Sequence, residues 1–189
     1  MQNKYRSLNL GLTIENLLHM ILAFDTYYFD NKAKTVCISF SSWADTQPIE
    51  IYSEIIEEIA DYEPGAFYKR ELPCIISLLK KINLKKIDLI IVDSFVFLDD
   101  FDKPGLGAYL FESLKSKTPI IGVAKSGFYK NIKNVRHLLR GESKKPLYIS
   151  AIGIDLDTAY HHIQSMHGNY RNPTLLQLLD TKTKEKENT

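Results

Sequence analysis

Two runs of this chain are apolar at almost every position, yet too short to be helices. Ile87-Asp88-Leu89-Ile90-Ile91-Val92 ends in Asp93, and Pro119-Ile120-Ile121-Gly122-Val123-Ala124 ends in Lys125. A strand with one wet face alternates apolar and polar residues, so an unbroken run of this length reads as a strand buried on both faces. A sheet covered on both sides needs helices, and the flanking segments supply them. Residues 66–82, 105–116, 155–166 and 173–180 carry helical spacing. Pro73 lies inside the first of these, where a kink or a late start is expected.

Ahead of the first run, residues 18–29 read as a buried strand, and 34–43 should pair with it through the Asp30-Asn31 turn. Residues 49–59 set Ile49, Ile51, Ile55 and Ile59 against Glu50, Tyr52, Glu54 and Glu58. That period of two predicts a third antiparallel strand, although the glutamates would also suit a helix. Residues 146–152 give a last strand. The fold class expected is α/β: three antiparallel strands, then parallel strands alternating with helices, in a mixed sheet of about five or six strands. Residues 1–180 form a single domain in this reading, and the polar segment 181–189, lacking apolar anchors, is expected to fray.

Composition narrows the classes. At 189 residues the chain suits one domain, and 44% hydrophobic with 25% charged residues excludes a disordered or fibrous protein. No apolar stretch approaches the roughly 20 residues that cross a bilayer. The start, MQNKYRSLNL, lacks the pattern of a signal peptide. Cys37 and Cys74 sit in apolar runs and read as buried thiols of a reducing, cytoplasmic compartment. The net charge of +1 shows no general basic excess. Lys125, Lys130, Lys133, Arg136, Arg140, Lys144 and Lys145, opposed only by Glu142, nevertheless form a local patch. Such a patch can engage phosphates or simply be a solvated face.

Two apolar strands end in a carboxylate, MILAFD at Asp25 and LIIVD at Asp93. Adjacent and parallel, they would bring both aspartates to the carboxyl edge of the sheet, where sites of open α/β folds are built. Paired carboxylates either share a proton or hold a cation, and oxygen-only ligands favour Mg²⁺ or Mn²⁺. An aspartate after a strand also caps turns and helices, so the pair alone leaves both readings open.

The segment Tyr62-Glu63-Pro64-Gly65-Ala66-Phe67-Tyr68-Lys69-Arg70-Glu71-Leu72-Pro73 resembles the Tyr-x-Pro-Gly, Arg-Glu-x-Pro signature of the endonuclease V family. Asp88–Asp93, Pro119–Lys125, Pro146–Ser150, Asp155–Tyr160 and Asn169–Pro173 are similar to its later segments, in order, and the resemblance spans about residues 21–180. It implies a ribonuclease H-like fold and a metal-dependent endonuclease of DNA repair that acts on nucleic acid, DNA before RNA. By this resemblance Asp25, Glu71, Asp93 and Lys125 are the catalytic residues. Asp25, Glu71, Asp93 and Asp180 would hold Mg²⁺ or Mn²⁺ in a two-metal scheme. Tyr62 matches an aromatic wedge, or else packs within its turn. Pro64, Ser94, Lys130, Lys133 and Arg136 join Tyr62 as expected nucleic-acid contacts.

The chain departs from the family after Asp93. Ser94 and Val96 stand where the family has glycines, Asp99, Asp100 and Asp102 displace its His-Pro-Arg, and Tyr109 replaces a histidine. Added side chains should narrow the base pocket and the acidic loop should repel phosphate, weakening any preference for deoxyinosine. Two alternatives follow: a nuclease for other structured or single-stranded DNA or RNA, or a non-catalytic relative that binds nucleic acid or protein. His161, His162 and His167 read as surface histidines, not as a metal site.

Overall fold

The computed structural model describes residues 20–57, 67–83, 87–127 and 130–185. Seven strands and four helices appear in the order β1 (Met20–Phe29), β2 (Lys32–Phe40), β3 (Glu50–Glu57), α1 (Tyr68–Leu79), β4 (Ile87–Val92), α2 (Leu106–Ser113), β5 (Ile120–Ala124), β6 (Arg136–Leu138), β7 (Leu147–Ile152), α3 (Leu156–Ser165) and α4 (Thr174–Lys184). They form one mixed sheet of order β3-β2-β1-β4-β5-β7-β6. β1, β2 and β3 are an antiparallel meander, while β1, β4 and β5 run parallel. Asp30 and Asn31 join β1 to β2 with φ of 44° and 60°. Left-handed pairs of this kind match the twist of a hairpin, and Asp and Asn tolerate them.

The unbroken apolar runs are explained by burial on both sides. Ile21, Ala23, Leu89, Ile91, Ile121 and Val123 face one layer, where Ile163 of α3 and Leu175 and Leu179 of α4 meet them. Leu22, Phe24, Ile90, Val92 and Ile120 face the other, against Ile75 and Leu78 of α1 and Leu110 of α2. Each such side chain contributes about 1.5–3 kcal/mol by leaving water. Cys37 and Cys74 are buried free thiols. No helix among the described residues is long and apolar enough to cross a membrane.

Two expectations are corrected. β7 runs antiparallel to β5, not parallel to it. Parallel neighbours need a long crossover, usually a helix. Here the chain leaves β5 through a loop, forms the short β6 and returns as β7 beside it. The segment after residue 180 is not a frayed tail as far as residue 185, because α4 continues to Lys184. Thr183 is buried there, and the Lys34 ammonium donates to the Glu185 carbonyl at 2.8 Å; residues 186–189 lie outside the described part. The isoleucine face of β3 is the wetter one: Ile49 and Ile51 are 54% and 45% exposed, while Glu54 pairs with Lys81 at 3.0 Å. β3 is an edge strand, and α4 covers β1 and β2.

Past the end of β4 the chain folds down over β5. The Val96 N–H donates to Ser150 Oγ at 2.9 Å, and Val96 is fully buried. Gly122 makes this possible: a Cβ there would lie 2.5 Å from both Ser150 Oγ and the Ser94 carbonyl oxygen. Gly122→Ala is therefore expected to cost about 1–3 kcal/mol of stability through overpacking. Urea denaturation checks this, and an unchanged midpoint would show that the loop does not press on β5.

Candidate active site

Parallel pairing of β1 with β4 sets Phe24 beside Val92, and the Asp93 N–H donates to the Phe24 carbonyl at 3.3 Å. Asp25 and Asp93 therefore leave neighbouring strands at the same edge. Counting in twos from Ile21 and Leu89 places both on the sheet face covered by α3 and α4. α4 brings a third carboxylate, because its buried Leu175 and Leu179 orient the helix so that Asp180 meets the strand ends. Asp25, Asp93 and Asp180 each offer an oxygen, all within 4.8 Å of one another. Lys125, the first residue after β5, extends its ammonium to Asp93 Oδ2 at 2.7 Å and Asp180 Oδ1 at 2.9 Å. Lys184 holds the other oxygen of Asp180 at 2.6 Å. The pocket here is lined by Asp25, Asp93, Lys125 and Asn172 with the apolar side chains of Leu147, Leu176 and Leu179.

Burial and mutual repulsion set the charge state. Burial, then the charge of Asp93, pushes Asp25 from 3.8 up to about 6, against the opposing pull of Lys125 and of the Thr26 N–H, which donates to it at 2.8 Å. Burial works against the charge on Lys125, but Asp93 and Asp180 outweigh it and hold the lysine above its ordinary value. For Asp180 burial raises the value, and Lys184 and Lys125 more than reverse it. Glu71 comes from the first turn of α1, on the opposite side of the sheet. It is only 3% exposed, and among the described residues its Oε2 has no hydrogen-bond partner. Burial, then Asp25 and Asp93, raise it well above the carboxylate range. Glu71 thus feels the cluster but stands outside the three-carboxylate group.

Of the other expected residues, Tyr62 and Pro64 lie outside the described part. Ser94 is half-buried beside Gly122; Lys130 and Lys133 are exposed. Arg136 is engaged with Asp157 on α3 at 2.6 Å. The reading of the loop after Asp93 is corrected in one respect. Val96 fills the core and so does not narrow a pocket. The three loop aspartates are ligated by the protein itself. Asp99 Oδ1 accepts from the Phe101 and Lys103 N–H groups at 2.9 and 3.1 Å. Asp100 Oδ1 accepts from the Ile132 and Lys133 N–H groups at 2.7 and 2.6 Å, and Asp102 Oδ1 accepts from Asn134 at 2.7 Å. Tyr109 stacks on Tyr68, with ring centroids 3.8 Å apart.

Two supporting roles were not foreseen. Arg171 donates to the carbonyls of Lys125 and Pro146, fixing the backbone from which the Lys125 side chain springs. Arg140, counted in the basic patch, is buried and donates to the carbonyls of Gly168 and Tyr170 at 3.1 and 3.0 Å, bracing the loop that leads to α4. Both lie near segments with a visible motif, but a guanidinium spent on carbonyls looks the same in sequence as one facing phosphate.

A sequence model described as endonuclease V matches residues 4–181. No curated protein sequence matches the chain. Among solved structures, human endonuclease V superposes with a TM-score of 0.71 at 19% identity, covering 88% of this chain and 83% of that one. The Ciona intestinalis endonuclease V, in complex with a 24mer DNA containing an inosine followed by a ribo-adenosine, gives 0.73 at 17% identity, covering 89% and 85%. The Bacillus subtilis endonuclease V gives 0.64 at 23% identity, covering 89% and 80%. The mixed sheet is thus that of the ribonuclease H-like endonuclease V structures.

The raised value of Asp25 has a definite sign in stability. Its folded value of about 6 exceeds the unfolded 3.8, so the folded state binds more protons between those limits and loses stability as pH rises through that window. Asp25→Asn removes that loss. Without divalent ions the variant is expected to exceed the parent by about 1–2 kcal/mol at pH 7.5, and to gain far less at pH 4. Urea melts at the two pH values measure this, and equal gains at both would rule out Asp25 as the strained carboxylate.

Proposed function

Because the chain belongs to the endonuclease V family, we propose that it is a divalent-cation-dependent endonuclease that hydrolyses a phosphodiester bond in nucleic acid, with inosine-containing DNA as first candidate substrate. The observation that carries this is the convergence of Asp25, Asp93 and Asp180 on one point at the carboxyl edge, with Lys125 among them. The substrate follows from the family and from the inosine-containing DNA held by the Ciona intestinalis protein.

The donor set fits a hard cation, Mg²⁺ or Mn²⁺. All the ligand atoms are carboxylate oxygens, and the partial burial that raises Asp25 would be relieved by a positive charge. When bound, such an ion supplies charge neutralisation for the scissile phosphate and acidifies the attacking water. Asp25, Asp93 and Asp180 would hold it, and Glu71, close enough to feel the charges of Asp25 and Asp93, would add its carboxylate from the α1 side. Lys125 stays protonated at any working pH, and once the aspartates turn to a cation its ammonium is free to neutralise charge growing on the phosphate. The water oxygen adds to phosphorus and the P–O3′ bond breaks, leaving a 3′-hydroxyl and a 5′-phosphate. Lys130 and Lys133, both exposed, extend the contact along the strand. Arg136 would join them only by leaving Asp157. The buried free thiols suit a reducing, cytoplasmic setting.

The loop after Asp93, where half-buried Ser94 carries a side chain beside the strand ends, favours a second reading within the same class, a nuclease for other structured or single-stranded substrates. Paired cleavage assays with Mg²⁺ or Mn²⁺, on duplexes with and without one inosine and on single strands, separate the two. Asp93→Asn is expected to reduce cleavage to background while keeping the fold, because a ligand is lost. Mn²⁺ should raise the Tm of the parent and not that of the variant. Cleavage by the variant at the parental rate would place the chemistry elsewhere.

A further inference from the structure

The loops that follow β4 and β5 are bound to each other between residues 97–102 and 130–134. Besides the Asp100 and Asp102 contacts, Asn131 Nδ2 donates to the Phe97 carbonyl at 2.6 Å and Asn134 Nδ2 to the Asp99 carbonyl at 3.0 Å. The Asp100 N–H donates to the Lys130 carbonyl at 3.1 Å. Asp102, in the left-handed region at φ 61°, turns the chain back directly after Phe101. This ordered double loop nevertheless presents its largest apolar side chains to water. Phe101 is 92% exposed and Ile132 76%, and the hydrogen bonds that Ile132 and Lys133 N–H groups donate to Asp100, the residue before Phe101, bring the two segments together. Lys103, Lys130 and Lys133 are exposed around them.

Resting on the nucleic-acid reading above, we propose that Phe101 is a stacking platform for an unpaired base of the substrate strand, with Ile132 beside it and Lys103, Lys130 and Lys133 on the flanking phosphates. The two loops spring from the residues just after Asp93 and Lys125, at the edge that carries the carboxylates. Two apolar side chains are too small a patch for a stable protein interface, which buries on the order of 1,000 Å² or more. One aromatic ring suffices for one base. The hydrogen bonds between the loops keep the backbone beneath the ring ordered before binding, which lowers the cost of stacking. The loop aspartates act as internal staples here: their oxygens accept from backbone and asparagine N–H groups, while Lys103, Lys130 and Lys133 are exposed.

The test uses the full chain in EDTA, which prevents cleavage, and a fluorescein-labelled single strand carrying one 2-aminopurine. Phe101→Ala is expected to weaken single-strand binding about 5- to 100-fold and to abolish the change in 2-aminopurine emission. Phe101→Trp should retain both, and all three proteins should share one Tm because the ring is exposed. Lys130→Ala with Lys133→Ala should lower the slope of log affinity against log salt by about 0.7 for each phosphate no longer neutralised. Parental affinity in Phe101→Ala overturns the proposal, as does a parental dimer that Phe101→Ala dissociates in light scattering. Failure of the parent to bind any oligonucleotide would instead overturn the nucleic-acid reading itself.

Discussion

The structure turns on a repulsion held in place. Parallel pairing of β1 and β4 forces Asp25 and Asp93 to one edge, and α4 adds Asp180, so three carboxylate oxygens lie within 4.8 Å of one another. A pair of like charges at that spacing opposes folding by about 3–4 kcal/mol at an effective dielectric constant near 20. A chain selected only for stability would not keep such a group partly out of water. What holds it is the sheet beneath, buried on both faces, and the ammonium of Lys125, which bridges two of the three aspartates. One ammonium offsets only part of the charge of three carboxylates, and Asp25 in particular keeps a raised affinity for protons.

Around this group the chain spends its polar side chains on positioning. Arg171 clamps the carbonyl of Lys125, Arg140 braces the loop ahead of α4, and Ser150 receives the N–H of Val96 where the loop crosses Gly122. The acidic loop belongs to the same scheme. Asp99 accepts from N–H groups of its own loop, while Asp100 and Asp102 accept from backbone and asparagine N–H groups of the next and so join the two loops.

Much of this was legible in the sequence, for physical reasons. The central strands are written as unbroken apolar runs because they bury both faces, and the Asp30-Asn31 turn is written in residues that tolerate positive φ. Asp25 and Asp93 are legible because each closes such a run. The direction of β7 was not, since an apolar strand carries no mark of its polarity and the short β6 lacks a periodic signal of its own. The length of α4 was hidden as well: Thr183 is buried and Lys34 meets Glu185 only through tertiary contacts made by residues far apart in the chain. Asp99, Asp100 and Asp102 looked like free charges because their partners are backbone groups, which composition cannot show.

The central claim is that Asp25, Asp93 and Asp180 form one cation site at the catalytic edge. Anomalous diffraction from crystals grown with Mn²⁺ tests it most directly. The account predicts manganese coordinated by oxygens of these three residues, with the Lys125 ammonium displaced from Asp93 and Asp180. Manganese bound elsewhere, with the Lys125 bridge intact, would contradict it.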